Sequence, residues 1–250
     1  MQIIDINCAI GEPMRSQRFS TAEGLLQWLD KYNIDCALTY HSEAMREPEM
    51  GNEKMVKAAA ASGGRLRLCL ALNPSLQSLG IPGEGTPLER LKKLRPSAVR
   101  IFPGEQLYPF DTFYAEEILQ VCAELHLPLI VDCPYDMPFI ARLPEVCKAY
   151  PDVPIILLRF MYNRSRLYMP ILRKLPNVYL DMSNHIDVGG MEEVVERFGS
   201  TNLLFGSGLP TYEPSGALGL LLYAQLSGAD RENIAAGNFL RLEGDIRYDD

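Results

Sequence analysis

Polar side chains stand where apolar runs end. "IIDINCAIGE" carries Asp5 and Asn7, "SAVRIF" carries Arg100, "LPLIVD" ends on Asp132, and "VPIILLRF" carries Arg159. "NVYLDMSNHID" ends in Asp181, Ser183, His185 and Asp187, and "NLLFGSG" leads to Ser207. Carboxylates and an imidazole can move protons, which makes Asp132, Asp181 and His185 the candidate catalytic groups. A guanidinium offers a planar fork of donors suited to a carboxylate or phosphate, so Arg100 and Arg159 are candidate ligand-binding groups. Ser207 joins them, because backbone N–H groups around Gly206 and Ser207 could cradle an anion, and so does Asn7 on the first strand. The alternative for that stretch is a tight turn before a helix capped at Ser215. An Asp–His–Ser set inside one loop rarely forms a triad, since its members must converge in space. His41 and His185 each have a second reading as loop residues that cap a turn or face solvent, and His126 reads as structural.

These residues need a frame. The runs "MQIIDIN", "IDCALTY", "RLRLCLAL", "SAVRIF", "LPLIVD", "VPIILL", "NVYLDM" and "NLLFG" are nearly continuously apolar. That is the pattern of parallel strands buried on both faces. Helix-like stretches alternate with them, among them "TAEGLLQWLDKY", with Leu25, Leu26, Leu29 and Tyr32 on one side. Strands alternating with helices imply βαβ units and a parallel sheet. Eight such units in 250 residues predict an α/β fold of the (β/α)8 TIM-barrel type, a single domain over residues 1–250. "NCAIGEP" lacks the GxGxxG that would follow the first strand of a dinucleotide-binding sheet. "ADRENIAAGNFLRL" reads as an added closing helix. In such barrels chemistry lies at the C-terminal ends of the strands, where the polar residues above stand.

Composition removes several functions. Net charge is -8 with no dense basic stretch, which argues against a nucleic-acid partner. No apolar run reaches the roughly 18 residues of a membrane span, and the first residues show no basic leader. The six cysteines are scattered without CxxC pairs, as expected for reduced thiols in a cytoplasmic protein. Strand parity puts Cys8 and Cys133 on the helix side if Asp5, Asn7, Ala9 and Asp132 face the barrel. Trp28 reads as packing on the first helix.

The same segments, in order and spacing, resemble the amidohydrolase-related proteins of the metal-dependent hydrolase superfamily. "IIDINCAIG" is similar to that family's Asp-x-His-x-His-x-Gly strand, and "NLLFGSGLP" to its Gly-Ser-Asp-x-Pro strand. "LPLIVDCP", "YPDVPIILLRF" and "NVYLDMS" resemble its fifth, sixth and seventh strands, and "NIAAGNFLRL" its closing helix. The resemblance implies a TIM barrel acting on small molecules through a bound metal. It also places the ligands: two first-strand histidines at Asn7 and Ala9, others at Asp132 and Arg159, and an aspartate at Gly208. None of the three histidines falls there.

A guanidinium cannot ligate a cation, so the expectation is no metal and no cofactor. The resemblance implies that Arg159 and Asp132 point at each other, with Arg159 in the place of the metal charge. Asp5, Asp132 and Asp181 remain as an alternative oxygen set. Two functions follow. One is a hydrolase that acts on a small anionic molecule without a catalytic metal. The other is a catalytically inactive barrel that binds a small anion or a protein partner. Assembly into a homo-oligomer is left open.

Overall fold

Uninterrupted apolar runs become strands when both faces are covered, and the computed structural model places eight of them side by side. It describes residues 1–12, 21–132, 137–158, 165–183 and 189–249. The strands are β1 (Ile4–Ile10), β2 (Cys36–His41), β3 (Leu66–Leu72), β4 (Ala98–Ile101), β5 (Leu129–Val131), β6 (Ile155–Leu157), β7 (Val178–Asp181) and β8 (Leu203–Leu204). Neighbours pair in parallel in the order β1 to β8. The ring is drawn together where Ile6 N–H donates to the Phe205 carbonyl at 3.0 Å and Ala9 N–H to the Leu209 carbonyl at 2.9 Å. This is a single-domain (β/α)8 barrel.

Helices α1 (Ala22–Lys31), α2 (Pro48–Ala61), α3 (Pro87–Leu94), α4 (Pro103–Gln106), α5 (Glu116–Leu125) and α6 (Met137–Ala149) alternate with the strands. So do α7 (Ser165–Lys174), α8 (Gly190–Phe198) and α9 (Ser215–Tyr223), while α10 (Gly228–Glu232) and α11 (Asn238–Gly244) follow them. Local chemistry starts several of these helices. Thr21 caps α1, and Thr86 and Glu89 form a reciprocal capping box on α3 behind Pro87. The short α4, directly after β4, is an element that the sequence pattern did not separate. The closing stretch is two α-helices joined by a π-helical turn, Asn233–Gly237, rather than one helix.

Two apolar layers form. The outer layer packs Leu25, Leu29 and Leu119 against Val99, Ile101, Leu129, Val131 and Leu157 of the strands. The inner layer joins Ile4, Ile6, Leu38, Ile130, Ile156 and Leu204 to Phe239 and Leu242 of α11, which packs into that inner layer. Each fully buried side chain of this size contributes roughly 1.5–3 kcal/mol relative to exposure. Asn238 holds the closure by donating at 2.7 Å to the carbonyls of both Ser200 and Leu203.

Alternation aims the polar residues. Val99 and Ile101 face outward, so Arg100 points in; Leu129 and Val131 do the same for Asp132, and Val178 and Leu180 for Asp181. On β1 the alternation breaks. A register shift between Asp5 and Cys8 inserts one extra residue opposite β2. Ile4 and Ile6 lie inside, Cys8 and Ile10 outside. The bulge thus re-aims Asn7, as bulges do near functional sites. Asp5 does not share the parity of Asn7 that simple alternation predicts.

Cys8 does lie in the helix-side layer, as expected; Cys133 falls outside the described residues. Cys8, Cys36, Cys69, Cys122 and Cys147 are all buried and unbridged. Burial pushes the Cys8 thiol well up and the Cys69 thiol to about 12. A disulfide reagent at mild alkaline pH should therefore leave Cys8 and Cys69 unmodified in the folded protein and react fully after denaturation. Rapid native labelling of either, read by peptide mass, would refute this placement.

Candidate active site

Arg100 is the centre of the inward polar cluster. It is 3% exposed, yet its charge is met on three sides. One terminal nitrogen donates to Asn7 Oδ1 at 3.1 Å, and the other donates in a short ion pair to Asp132 Oδ2. The guanidinium carbon lies 4.2 Å from the centroid of the Tyr40 ring and 5.1 Å from that of Phe102. Both rings offer the negative face that attracts a desolvated cation. Asn7 relays the cluster across the barrel, donating from Nδ2 to Asp181 Oδ2 at 3.2 Å. Asp181 also accepts from Ser183 N–H at 2.6 Å and from the Ser183 hydroxyl at 2.8 Å. Asp132, Arg100, Asn7, Asp181 and Ser183 thus form one chain from β5 through β4 and β1 to β7.

A third carboxylate, on β1 itself, ties that strand to the end of β8. Asp5 is fully buried and accepts from Asn7 N–H and Ser207 N–H, each at 3.0 Å, and from the Ser207 hydroxyl. Burial pushes its carboxyl above the usual range despite these donors. Gly206 allows β1, β7 and the end of β8 to approach, since a Cβ there would sit 2.9 Å from Asp181 Oδ1 and 3.1 Å from Asn7 Cβ.

Asn7, Arg100, Asp132 and Asp181, four of the seven residues expected at the site, meet in one network. Ser207 stands beside it, but its hydroxyl and N–H are both donated to Asp5, which leaves its anion-cradling role without those donors. Arg159 and His185 lie outside the described residues. Within the described residues Asp132 pairs with Arg100. Tyr40 and Phe102 had no assigned role; inward parity on β2 and the end of β4 was the signal that could have found them. His41 caps the 3-10 turn Ser42–Met45, accepting from Glu43 N–H at Nδ1. Burial, with Lys54 nearby, lowers its pKa, as suits a neutral acceptor. His126 ends α5 in the left-handed conformation, a structural place.

A family model described as Amidohydrolase matches residues 77–242 of the chain. The chain belongs to the amidohydrolase family. Among curated proteins there is no match. Solved structures share the whole fold at low identity. The 5-carboxyvanillate decarboxylase of Sphingomonas paucimobilis is 13% identical with a TM-score of 0.75, covering 98% of this chain and 99% of that one. A dihydroxybenzoic acid decarboxylase of Polaromonas sp. JS666, with bound manganese and the inhibitor 2-nitroresorcinol, is 15% identical at a TM-score of 0.76, over 97% of each chain. The 4-oxalomesaconate hydratase of Rhodopseudomonas palustris is 13% identical at 0.71, over 98% and 96%.

An amidohydrolase of this kind implies a divalent metal, and the described residues do not fit one. Among them no group of three or more His, Cys, Asp or Glu could hold a metal ion. Asn7 and Asp132, at two positions where the resemblance places ligands, carry a guanidinium between them, which would repel a cation and cannot ligate it. At Gly208, where the resemblance places an aspartate, φ is +78° and a Cβ would meet the Tyr212 ring at 2.7 Å. An aspartate there would be strained by its backbone and obstructed by that ring.

Proposed function

We propose that this amidohydrolase-family barrel binds a small anionic molecule at the C-terminal mouth and hydrolyses it without a divalent metal. The observation that carries the reading is Arg100 bridging Asn7 and Asp132, a fixed positive charge between two positions where the family places metal ligands. The decarboxylase and hydratase neighbours act on small acids by their names, which supports an anionic substrate. Arg100 supplies the field that holds the anion and stabilises negative charge developing on a carbonyl oxygen. Asp132 is the carboxylate nearest solvent, its side chain 13% exposed against none for Asp181. In this reading Asp132 takes a proton from water as that water attacks the carbonyl carbon, and returns it to the leaving oxygen. Asp181, held by three donors, orients Asn7 rather than moving protons. His185 remains a proposed second acid–base group. The five buried free cysteines support a reducing, cytoplasmic setting.

One observation favours the inactive-barrel reading instead. Both terminal nitrogens of Arg100 are already bonded within the protein, as in an internal strut. Turnover separates the two. Chelator-treated protein should hydrolyse a member of a panel of small anionic esters and lactones, and Asp132→Asn should lower the rate by at least ~100-fold. Stoichiometric metal by plasma emission, with activity lost on chelation, would overturn the metal-free reading. No turnover by folded wild-type protein favours the inactive barrel.

A further inference from the structure

His41 stands at a joint between the strands and the inward polar cluster. It is the last residue of β2, opposite Ile10 at the end of β1, and its side chain is 12% exposed. Nδ1 accepts the Glu43 N–H at 3.3 Å and so caps the 3-10 turn Ser42–Met45. The exit of β1 lies on the ring: a Cβ at Gly11 would sit 2.6 Å from His41 Cε1, 2.9 Å from its Nδ1 and 2.5 Å from Ser42 Oγ. The Ser42 hydroxyl donates to the Glu12 carbonyl at 2.9 Å, which ties the same turn to the first strand. The turn carries this joint to Arg100. Ala44 is fully buried and packs with Ala71 and Phe102, and Met45 and Tyr40 pack against the same group. Gly51 of α2 leaves the turn little slack, since a Cβ there would lie 2.3 Å from Ala44 N. The Met45 carbonyl accepts from Gln106 Nε2 at 3.3 Å. Tyr40 and Phe102 are the two rings on which the Arg100 guanidinium lies. Packed contacts therefore run unbroken from His41 through the turn to Arg100, the kind of path that transmits a local change.

We propose that the cap on this turn is a pH-sensitive latch: neutral His41 seats the turn and the aromatic shelf under Arg100, and protonated His41 releases both. When the ring takes its proton, Nδ1 changes from acceptor to donor and faces the Glu43 N–H, donor against donor. Two charged groups face the ring. Lys54 of α2 opposes a charged imidazole. Glu43 Oε2, 3.9 Å from Nδ1, favours one, but it is engaged in a short ion pair with Lys54. Gly11, the contact from β1, carries no charge. Burial and Lys54 outweigh Glu43, so His41 holds its proton less tightly than an ordinary histidine and is neutral at pH 7. The Arg100 site is then assembled near neutral pH and slackens in acid. This regulation rests on Arg100 as the centre of the anion site, and a test without ligand keeps the two readings apart.

Methyl NMR of the ligand-free, methionine-labelled protein tests the coupling. Met45, one of ten methionines, is assigned as the signal missing from Met45→Leu. The rings of Tyr40 and Phe102 beside it make its methyl a reporter of the shelf. Between about pH 8 and pH 5 that methyl should move with the same midpoint as the His41 Cε1 proton. The shared midpoint should lie below the ordinary histidine value of 6.5, while Met191, buried in α8, stays still. In His41→Asn the side-chain oxygen can still accept the Glu43 N–H but does not titrate, so the Met45 shift should flatten. Lys54→Met keeps the cap and removes the opposing charge, and it should raise the His41 and Met45 midpoints together by about 0.5 pH unit or more. A Met45 methyl that stays still, that follows another midpoint, or that still moves in His41→Asn overturns the inference. So does a Lys54→Met protein in which only His41 shifts. Because no ligand enters, each of these results leaves the anion reading standing.

Discussion

Arg100→Met should cost about 3–5 kcal/mol of folding stability, the typical penalty for removing one partner of a buried charge pair. Asp132 would keep a carboxylate that is 13% exposed and has lost its ion pair with Arg100, and Asn7 Oδ1 would lose the Arg100 donor. Methionine matches the arginine stem and can still lie along the rings of Tyr40 and Phe102, so the loss reads the charge rather than the volume. Three further variants sharpen the result. Arg100→Lys restores charge without the planar fork and should recover part of the loss, since one ammonium cannot serve Asn7 and Asp132 with the same geometry. Asp132→Asn alone should also destabilise, because it leaves the guanidinium desolvated. The double variant Arg100→Met/Asp132→Asn should be more stable than the sum of the single losses, since neither charge is then stranded. Urea midpoints of the four proteins decide it. A cost below about 1 kcal/mol for Arg100→Met would place the pair with surface ion pairs and remove its claim to the metal's position.

That guanidinium was legible only in part. The barrel could be read from the eight apolar runs, because a parallel strand buried on both faces leaves an unmistakable composition. Inward pointing of Arg100, Asp132 and Asp181 follows from alternation alone, and those three do converge. That Arg100 reaches Asp132 from the neighbouring strand did not follow, and the partner the resemblance implies, Arg159, lies outside the described residues. Alternation says which face a side chain takes, not how far a long arginine extends across a barrel. Stacking on Tyr40 and Phe102 fixes that reach, and it depends on two strands distant in sequence.

The first strand shows the other limit. Period-2 reasoning put Asp5 and Asn7 on one face, but the extra residue between Asp5 and Cys8 shifts the phase. A bulge leaves little trace in composition, since its residues are as buried as their neighbours. Ser207 shows the same limit. A Gly-Ser turn after the last strand resembles an anion cradle, and its donors instead meet Asp5, whose direction on β1 only the bulge reveals.

Asp5→Ala should be the second severe substitution, costing about 3 kcal/mol or more, because it strands three buried donors at once. Asn7 N–H, Ser207 N–H and the Ser207 hydroxyl all end on this carboxylate. Asp5→Asn should be far milder. Its oxygen can accept both N–H groups, which share Oδ1 in the native protein, and its amide can donate to the Ser207 oxygen. The asparagine variant also exposes the electrostatics. Burial raises the folded-state pKa of Asp5 above its ordinary 3.8, so the folded protein binds this proton more tightly than the unfolded chain does. The stability this gives is fully present below pH 3.8 and is lost as pH rises through the raised folded value. Asparagine has no such dependence. Relative to wild type, Asp5→Asn should therefore gain stability between pH 4 and pH 7, measured as the difference in urea midpoints at fixed ionic strength. A difference that moves the other way would mean that the three donors hold the carboxylate's charge more strongly than burial opposes it, and that the brace on β1 is an ionised group throughout.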